Sequence, residues 1–102
     1  MPTKWDFKTL VTEEELAKDA VLHKVIKLVI QHTEQGTYQV LLRRENFKSW
    51  AALATRRAPY YPKQFMYKDV LIERMANRFP YLREITIEDL NPRISKIVIN
   101  NS

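Results

Sequence analysis

The sequence predicts an α+β domain made of two helix-plus-β-hairpin halves packed together, with mainly antiparallel strands. Three observations carry that prediction. Lys27-Leu28-Val29-Ile30-Gln31 is nearly repeated by Lys96-Ile97-Val98-Ile99-Asn100, and each reads as a buried strand. Leu82 to Asp89 alternates, with Ile85 and Ile87 on one side and Glu84, Thr86 and Glu88 on the other, as a half-exposed strand does. Thr12 with Glu15 fits a capping box, in which hydroxyl and carboxylate satisfy the free amides of a helix start.

In chain order, Trp5 to Val11 mixes large apolar with polar residues and predicts a first strand. Glu13, Glu14 and Glu15 suit the positive end of a helix dipole. The predicted helix runs from Glu13 to His23 and buries Leu16, Ala17, Ala20 and Val21. Val25 to Ile30 is dense in β-branched residues, and a polar turn holding the only glycine, Gly36, separates it from Thr37 to Leu42. A hairpin of Val25 to Gln31 with Thr37 to Arg43 follows, against the competing reading of a helix continued to Gln31.

Asn46 is placed to cap a short helix to about Arg57, with Phe47, Trp50, Ala51 and Ala54 on one face. Ala58-Pro59-Tyr60-Tyr61-Pro62 breaks that pattern, because each proline pushes its predecessor out of helical geometry. A third helix from about Lys63 to Phe79 would turn Met66, Val70 and Met75 or Phe79 inward. After Leu90-Asn91-Pro92, Ile94 to Asn100 returns as the last strand, with a short helix capped by Asn91 as the alternative. The chain is thus one domain, residues 1–102, with pseudo-repeat halves 1–57 and 62–102 joined by the Pro/Tyr linker 58–62. Neither half buries enough apolar surface alone, so the two must close on each other or on a second chain, leaving a groove at their seam.

Composition narrows the function. There is no cysteine, which removes disulfides, thiol catalysis and most structural zinc sites. The first fifteen residues hold no apolar run of signal-peptide length, and charges interrupt every stretch that could span a membrane, so a cytoplasmic protein is expected. Gly36 alone cannot build a phosphate-cradling loop. His23 and His32 lack a second ligand pair, Glu13 to Glu15 serve as helix-start charges, and Ser49, Ser95 and Ser102 have no partnered base. No enzyme, metal or cofactor is predicted.

The charge of +5 comes from the middle of the chain. Between Arg43 and Lys68, seven cations face one anion, Glu45, a net of +6 that leaves −1 for the remainder. There Arg43, Arg44, Arg56 and Arg57 surround Trp50, Tyr60, Tyr61 and Phe65. These eight are the predicted partner-binding residues. Tyrosine, tryptophan and arginine are enriched at the energetic centres of protein interfaces. The leading expectation is therefore a protein–protein interaction module, monomeric or homodimeric. It would hold an extended, acidic partner segment in a groove between the halves or at a sheet edge. The alternative is nucleic-acid binding by segment 43–68, with cations on phosphate and rings stacked on bases. Glycine-containing RRM and KH motifs and zinc-finger spacing are missing from the sequence.

In its length, its lack of cysteine, its single glycine and its two loosely similar halves (Lys27 to Gln31 against Lys96 to Asn100), the chain resembles the small orphan proteins of Acidianus-type filamentous viruses of hyperthermophilic archaea. That resemblance implies a viral protein made inside the host cell, with no established activity, and transfers no functional residues.

Overall fold

A computed structural model describes residues 7–18, 24–89 and 94–98. The elements are β1 (Phe7–Val11), α1 (Glu13–Lys18), β2 (Val25–His32), β3 (Tyr38–Arg44), β4 (Trp50–Leu53), α2 (Lys68–Arg78), β5 (Glu84–Glu88) and β6 (Ile94–Val98). The strands form one mixed sheet in the order β1-β4-β3-β2-β5-β6. β3 pairs antiparallel with both β2 and β4, and β6 pairs antiparallel with β5. The β1–β4 and β2–β5 pairs are parallel. The domain is α+β and mostly antiparallel, as its sequence predicts. Residues 62–102 supply α2 and the β5–β6 hairpin, while the first half adds β1 and β4 to α1 and the β2–β3 hairpin.

Strand periodicity sorts the core into two layers. Leu28, Ile30, Val40, Leu42, Ala51, Leu53, Ile85 and Ile87 face the helices and pack with Leu16 of α1 and Leu71 and Met75 of α2. The residues between them, Val29, Leu41 and Ala52, make a second cluster on the back of the sheet with Leu10 and Trp50. β2, β3 and β4 are thus buried on both faces, which explains their continuous apolar runs. Each fully buried Leu or Ile contributes about 1.5–3 kcal/mol through its removal from water.

The hairpin reading of 25–43 holds. Val25 to His32 runs antiparallel to Tyr38 to Arg44 with a bulge near Val25, so the long-helix alternative does not form. The turn depends on Gly36, whose φ of +82° favours a residue without Cβ. Thr33 N–H donates to Thr37 O at 2.8 Å and Gly36 N–H to Thr33 O at 3.0 Å, closing the turn. At α1 the Glu15 N–H donates to Thr12 Oγ1 at 3.1 Å, and the Thr12 hydroxyl donates to the Glu15 carboxylate at 3.2 Å. α1 is described to Lys18; the predicted continuation to His23, with Ala20 and Val21, lies outside the described residues. So do Trp5, the 90–92 turn and the last two residues of the predicted Ile94 to Asn100 strand.

Five local expectations are corrected. Lys96-Ile97-Val98 is a strand but not a buried one: it lies in β6 at the edge of the sheet, where Lys96 and Val98 are exposed and Ile97 is half-buried. Residues 46–57 contain strand β4 and no helix: Trp50-Ala51-Ala52-Leu53 lies between β1 and β3, with Ala51, Ala52 and Leu53 almost wholly buried. Alanine's helix preference is only a few tenths of a kcal/mol per residue, and two-sided pairing of the strand outweighs it. Asn46 sits at φ +69° in the turn between β3 and β4, where asparagine is tolerated, instead of at a helix start. The third helix begins at Lys68, because residues 62–65 are drawn out along the sheet. Its buried stripe is Leu71, Met75 and Phe79, an i, i+4 series, whereas Met66 and Val70 are exposed and Ala17 of α1 is exposed as well. Finally, β5 is buried on both faces: Thr86 and Glu88 are covered along with Ile85 and Ile87, because β2 and β6 flank them.

Candidate functional site

The segment after β4 positions most of the predicted contact residues. Ala54 N–H donates to Val11 O at 2.8 Å, Lys63 N–H to Leu53 O at 2.7 Å, and Thr55 N–H to Tyr61 O at 2.8 Å. Tyr38 and Phe65 exchange two backbone bonds, each 2.8 Å. The Thr55 hydroxyl accepts from Tyr61 N–H at 3.2 Å, and the Ala58–Pro59 peptide is cis. Residues 55–65 therefore form a loop tied at both ends to the strand termini of the sheet. Tyr60 and Tyr61 stand on it 50% and 61% exposed, with Arg56 and Arg57 exposed beside them.

The other predicted residues are dispersed. Phe65 is half-buried against the main core, with Lys63 Nζ 5.5 Å and the Arg74 guanidinium 5.8 Å from its ring centroid. It holds two cations in place. Trp50 is half-buried on the back of the sheet against the Val29, Leu41 and Ala52 cluster. Arg43 is exposed on that same back face, in register with Lys27. Arg44 points the opposite way and is buried, its guanidinium 3.9 Å over the Phe47 ring. Of the eight, Tyr60, Tyr61, Arg56 and Arg57 are exposed together on one loop, which the half-buried Phe65 ends. Sequence reasoning missed Met66, Tyr67 and Val70, which are 69%, 71% and 62% exposed at the approach to α2. Helical spacing assigned Met66 and Val70 to the core. The signal that could have found them is the i, i+4 series from Leu71, which leaves no inward position for Val70.

Two cavities bear on binding. One of about 600 Å³ opens between Lys24–Leu28 and the segment Tyr81 to Thr86. There β2 and β5, which pair only from Val29 with Thr86 to Gln31 with Glu88, draw apart. This cleft lies at the seam between the halves, but none of the eight predicted residues lines it. Its cations Lys24, Lys27 and Arg83 are mixed with Glu45 and Glu84. Tyr81 enters it with Lys24 Nζ 4.1 Å from its ring centroid. Burial pushes the Tyr81 phenol above its ordinary pKa of 10.0; a hydrogen bond with the Val25 backbone opposes this and nearby Glu45 adds to it.

The second cavity, about 540 Å³, lies beyond the carboxyl ends of parallel strands β1 and β4 and brings Arg56 and Lys63 together with Arg74 and Arg78 of α2. Glu13 and Glu14 of α1 also line it. Arg74 Nη2 lies 3.0 and 3.2 Å from the two Glu13 carboxylate oxygens, and Arg78 Nη2 donates to the Glu13 backbone carbonyl at 2.9 Å. Glu14 is held by Lys18 at 3.5 Å.

A polar chain crosses the back of the sheet. Gln31 Nε2 donates to Glu88 Oε1 at 2.9 Å, Gln39 Nε2 to Gln31 Oε1 at 3.0 Å, and Gln64 Nε2 to Gln39 Oε1 at 3.3 Å. The Thr37 hydroxyl donates to Gln64 Oε1. A carboxylate only accepts, so Glu88 forces Gln31 to present its amide nitrogen, and each following amide is oriented in turn. This chain ties the loop through Gln64 to the middle of the sheet. Among the described residues no group of three or more His, Asp or Glu is placed to hold a metal ion, and no helix is long and apolar enough to cross a membrane. Comparisons with protein-family models, curated proteins and solved structures gave no match.

Proposed function

We propose that the protein is an interaction module that binds an acidic, extended segment of a partner protein across residues 56–70. One observation carries this reading: between Arg56 and Lys68 there are four cations and no acid, and Tyr60, Tyr61, Met66 and Tyr67 are exposed within that stretch. Large apolar side chains on a surface mark contact sites when they gather in one segment, and tyrosine and methionine are enriched there. The backbone beneath them is fixed by the bonds of Thr55, Lys63 and Phe65. Binding therefore orders little main chain, which favours affinity. Arg56, Arg57, Lys63 and Lys68 supply complementary charge for carboxylates. The seam cleft fits this partner less well, since its two signs of charge alternate around it.

The test is fluorescence anisotropy with a labelled glutamate- and leucine-rich peptide, read beside single-stranded DNA and RNA probes of similar length. Replacing Tyr60 and Tyr61 together by alanine should weaken the peptide by about thirtyfold or more, the loss typical of an aromatic centre of about 2 kcal/mol. Its thermal midpoint should stay at the wild-type value, since both rings are exposed. Peptide affinity should fall gently with salt. A nucleic-acid probe that binds more tightly than the peptide, with affinity falling log-linearly in salt, would replace this reading with phosphate recognition.

A further inference from the structure

We infer that the cavity beyond β1 and β4 is a binding site for a phosphate group carried by a small molecule. Its four cations, Arg56, Lys63, Arg74 and Arg78, exceed its two carboxylates, Glu13 and Glu14, by two charges. A dianion balances that excess, and Glu14 is already engaged by Lys18. The volume of about 540 Å³ lies within the range of small-molecule sites.

The site is also arranged in advance. The Glu13 carboxylate fixes Arg74 through one terminal nitrogen, and the Glu13 carbonyl fixes Arg78 in the same way. Each guanidinium carries five N–H donors, so most of its capacity remains for an oxyanion. The Phe65 ring gives both cations a weak further contact, with Lys63 Nζ 5.5 Å and the Arg74 guanidinium 5.8 Å from its centroid. Arg56 makes no ion pair among the described residues, and its charge is available to an incoming anion. The inference shares Arg56 and Lys63 with the acidic-partner reading but uses the cavity beneath the loop, with Arg74 and Arg78, and none of the exposed tyrosines.

The probes are inorganic pyrophosphate and ADP, titrated calorimetrically into the full chain at low salt. Both should bind, and an ADP affinity above that of pyrophosphate would show that the cavity also takes the nucleoside. Replacing Arg56 and Lys63 together by glutamine should weaken both probes by about tenfold or more, as the loss of two charge-assisted contacts implies. Lys27→Gln with Arg43→Gln removes the same charge from the back of the sheet and should change affinity by less than about twofold, given screening over that distance. Glu13→Gln should strengthen binding, because it removes a competing negative charge while its amide oxygen can still accept from Arg74. Tyr60→Ala with Tyr61→Ala should leave both probes at wild-type affinity while weakening the peptide by about thirtyfold or more. Equal weakening in the two charge-removal variants would show general attraction to a basic protein and overturn the inference, as would no heat with either probe at millimolar concentration.

Discussion

Replacing Gln31 by leucine tests the polar chain on the back of the sheet. Gln31 and Glu88 are 5% and 6% exposed, so their 2.9 Å bond sits where water does not compete. Leucine fills nearly the same volume but removes the donor to Glu88 and the acceptor for Gln39. A hydrogen bond to a charged group is worth about 1.5–3 kcal/mol, and the amide of half-buried Gln39 adds about 0.5–1 kcal/mol. The apolar gain from leucine offsets about 1 kcal/mol, giving a net loss of about 1–3 kcal/mol. For a domain of this size that lowers the thermal midpoint by roughly 4–24 °C. Pairing the change with Glu88→Leu should recover much of the loss, since replacing both members of a buried polar pair with apolar groups is often close to neutral. The assay is urea unfolding followed by circular dichroism on the four members of the cycle. A coupling energy below about 0.5 kcal/mol, the usual limit of additivity, would refute the claim that Glu88 orients the amides.

Two further outcomes follow from the geometry. Gly36→Ala should destabilise by about 1 kcal/mol in the same unfolding assay; nothing crowds a new Cβ there, so the loss comes from the φ of +82° alone. The raised Tyr81 pKa means the unfolded chain loses its phenolic proton first as pH climbs past 10.0. Its contribution is complete below that value and disappears as pH rises through the folded pKa, so Tyr81→Phe should flatten the alkaline decline of stability. An equally steep decline in the variant would remove Tyr81 as its source.

What the sequence made legible was local. The β2–β3 hairpin followed from Gly36 between two β-branched runs, and the α1 start followed from Thr12 and Glu15. β4 was hidden because Ala51 and Ala52 carry a helix preference, and only β1 and β3 on either side decide otherwise. Thr86 and Glu88 were read as solvated because alternation reports polarity, not what lies across the sheet. Of the proposed contact residues, Tyr60 and Tyr61 were readable because flanking prolines exclude them from a helix or strand interior. The cationic cavity was not: Glu13 meets Arg74 only through the α1 and α2 crossovers, although Arg74 and Arg78, one turn apart, already share a helix face.

The place of β4 between β1 and β3 has a consequence for synthesis. β1 leaves the ribosome before β4, yet its only strand neighbour among the described residues is Trp50 to Leu53. Phe7 to Val11 must wait, with its backbone donors and acceptors solvated, until that neighbour has emerged and the β2–β3 hairpin has given it a template. A nascent chain halted before Trp50 would thus display the amino-terminal strand as an unclaimed ribbon.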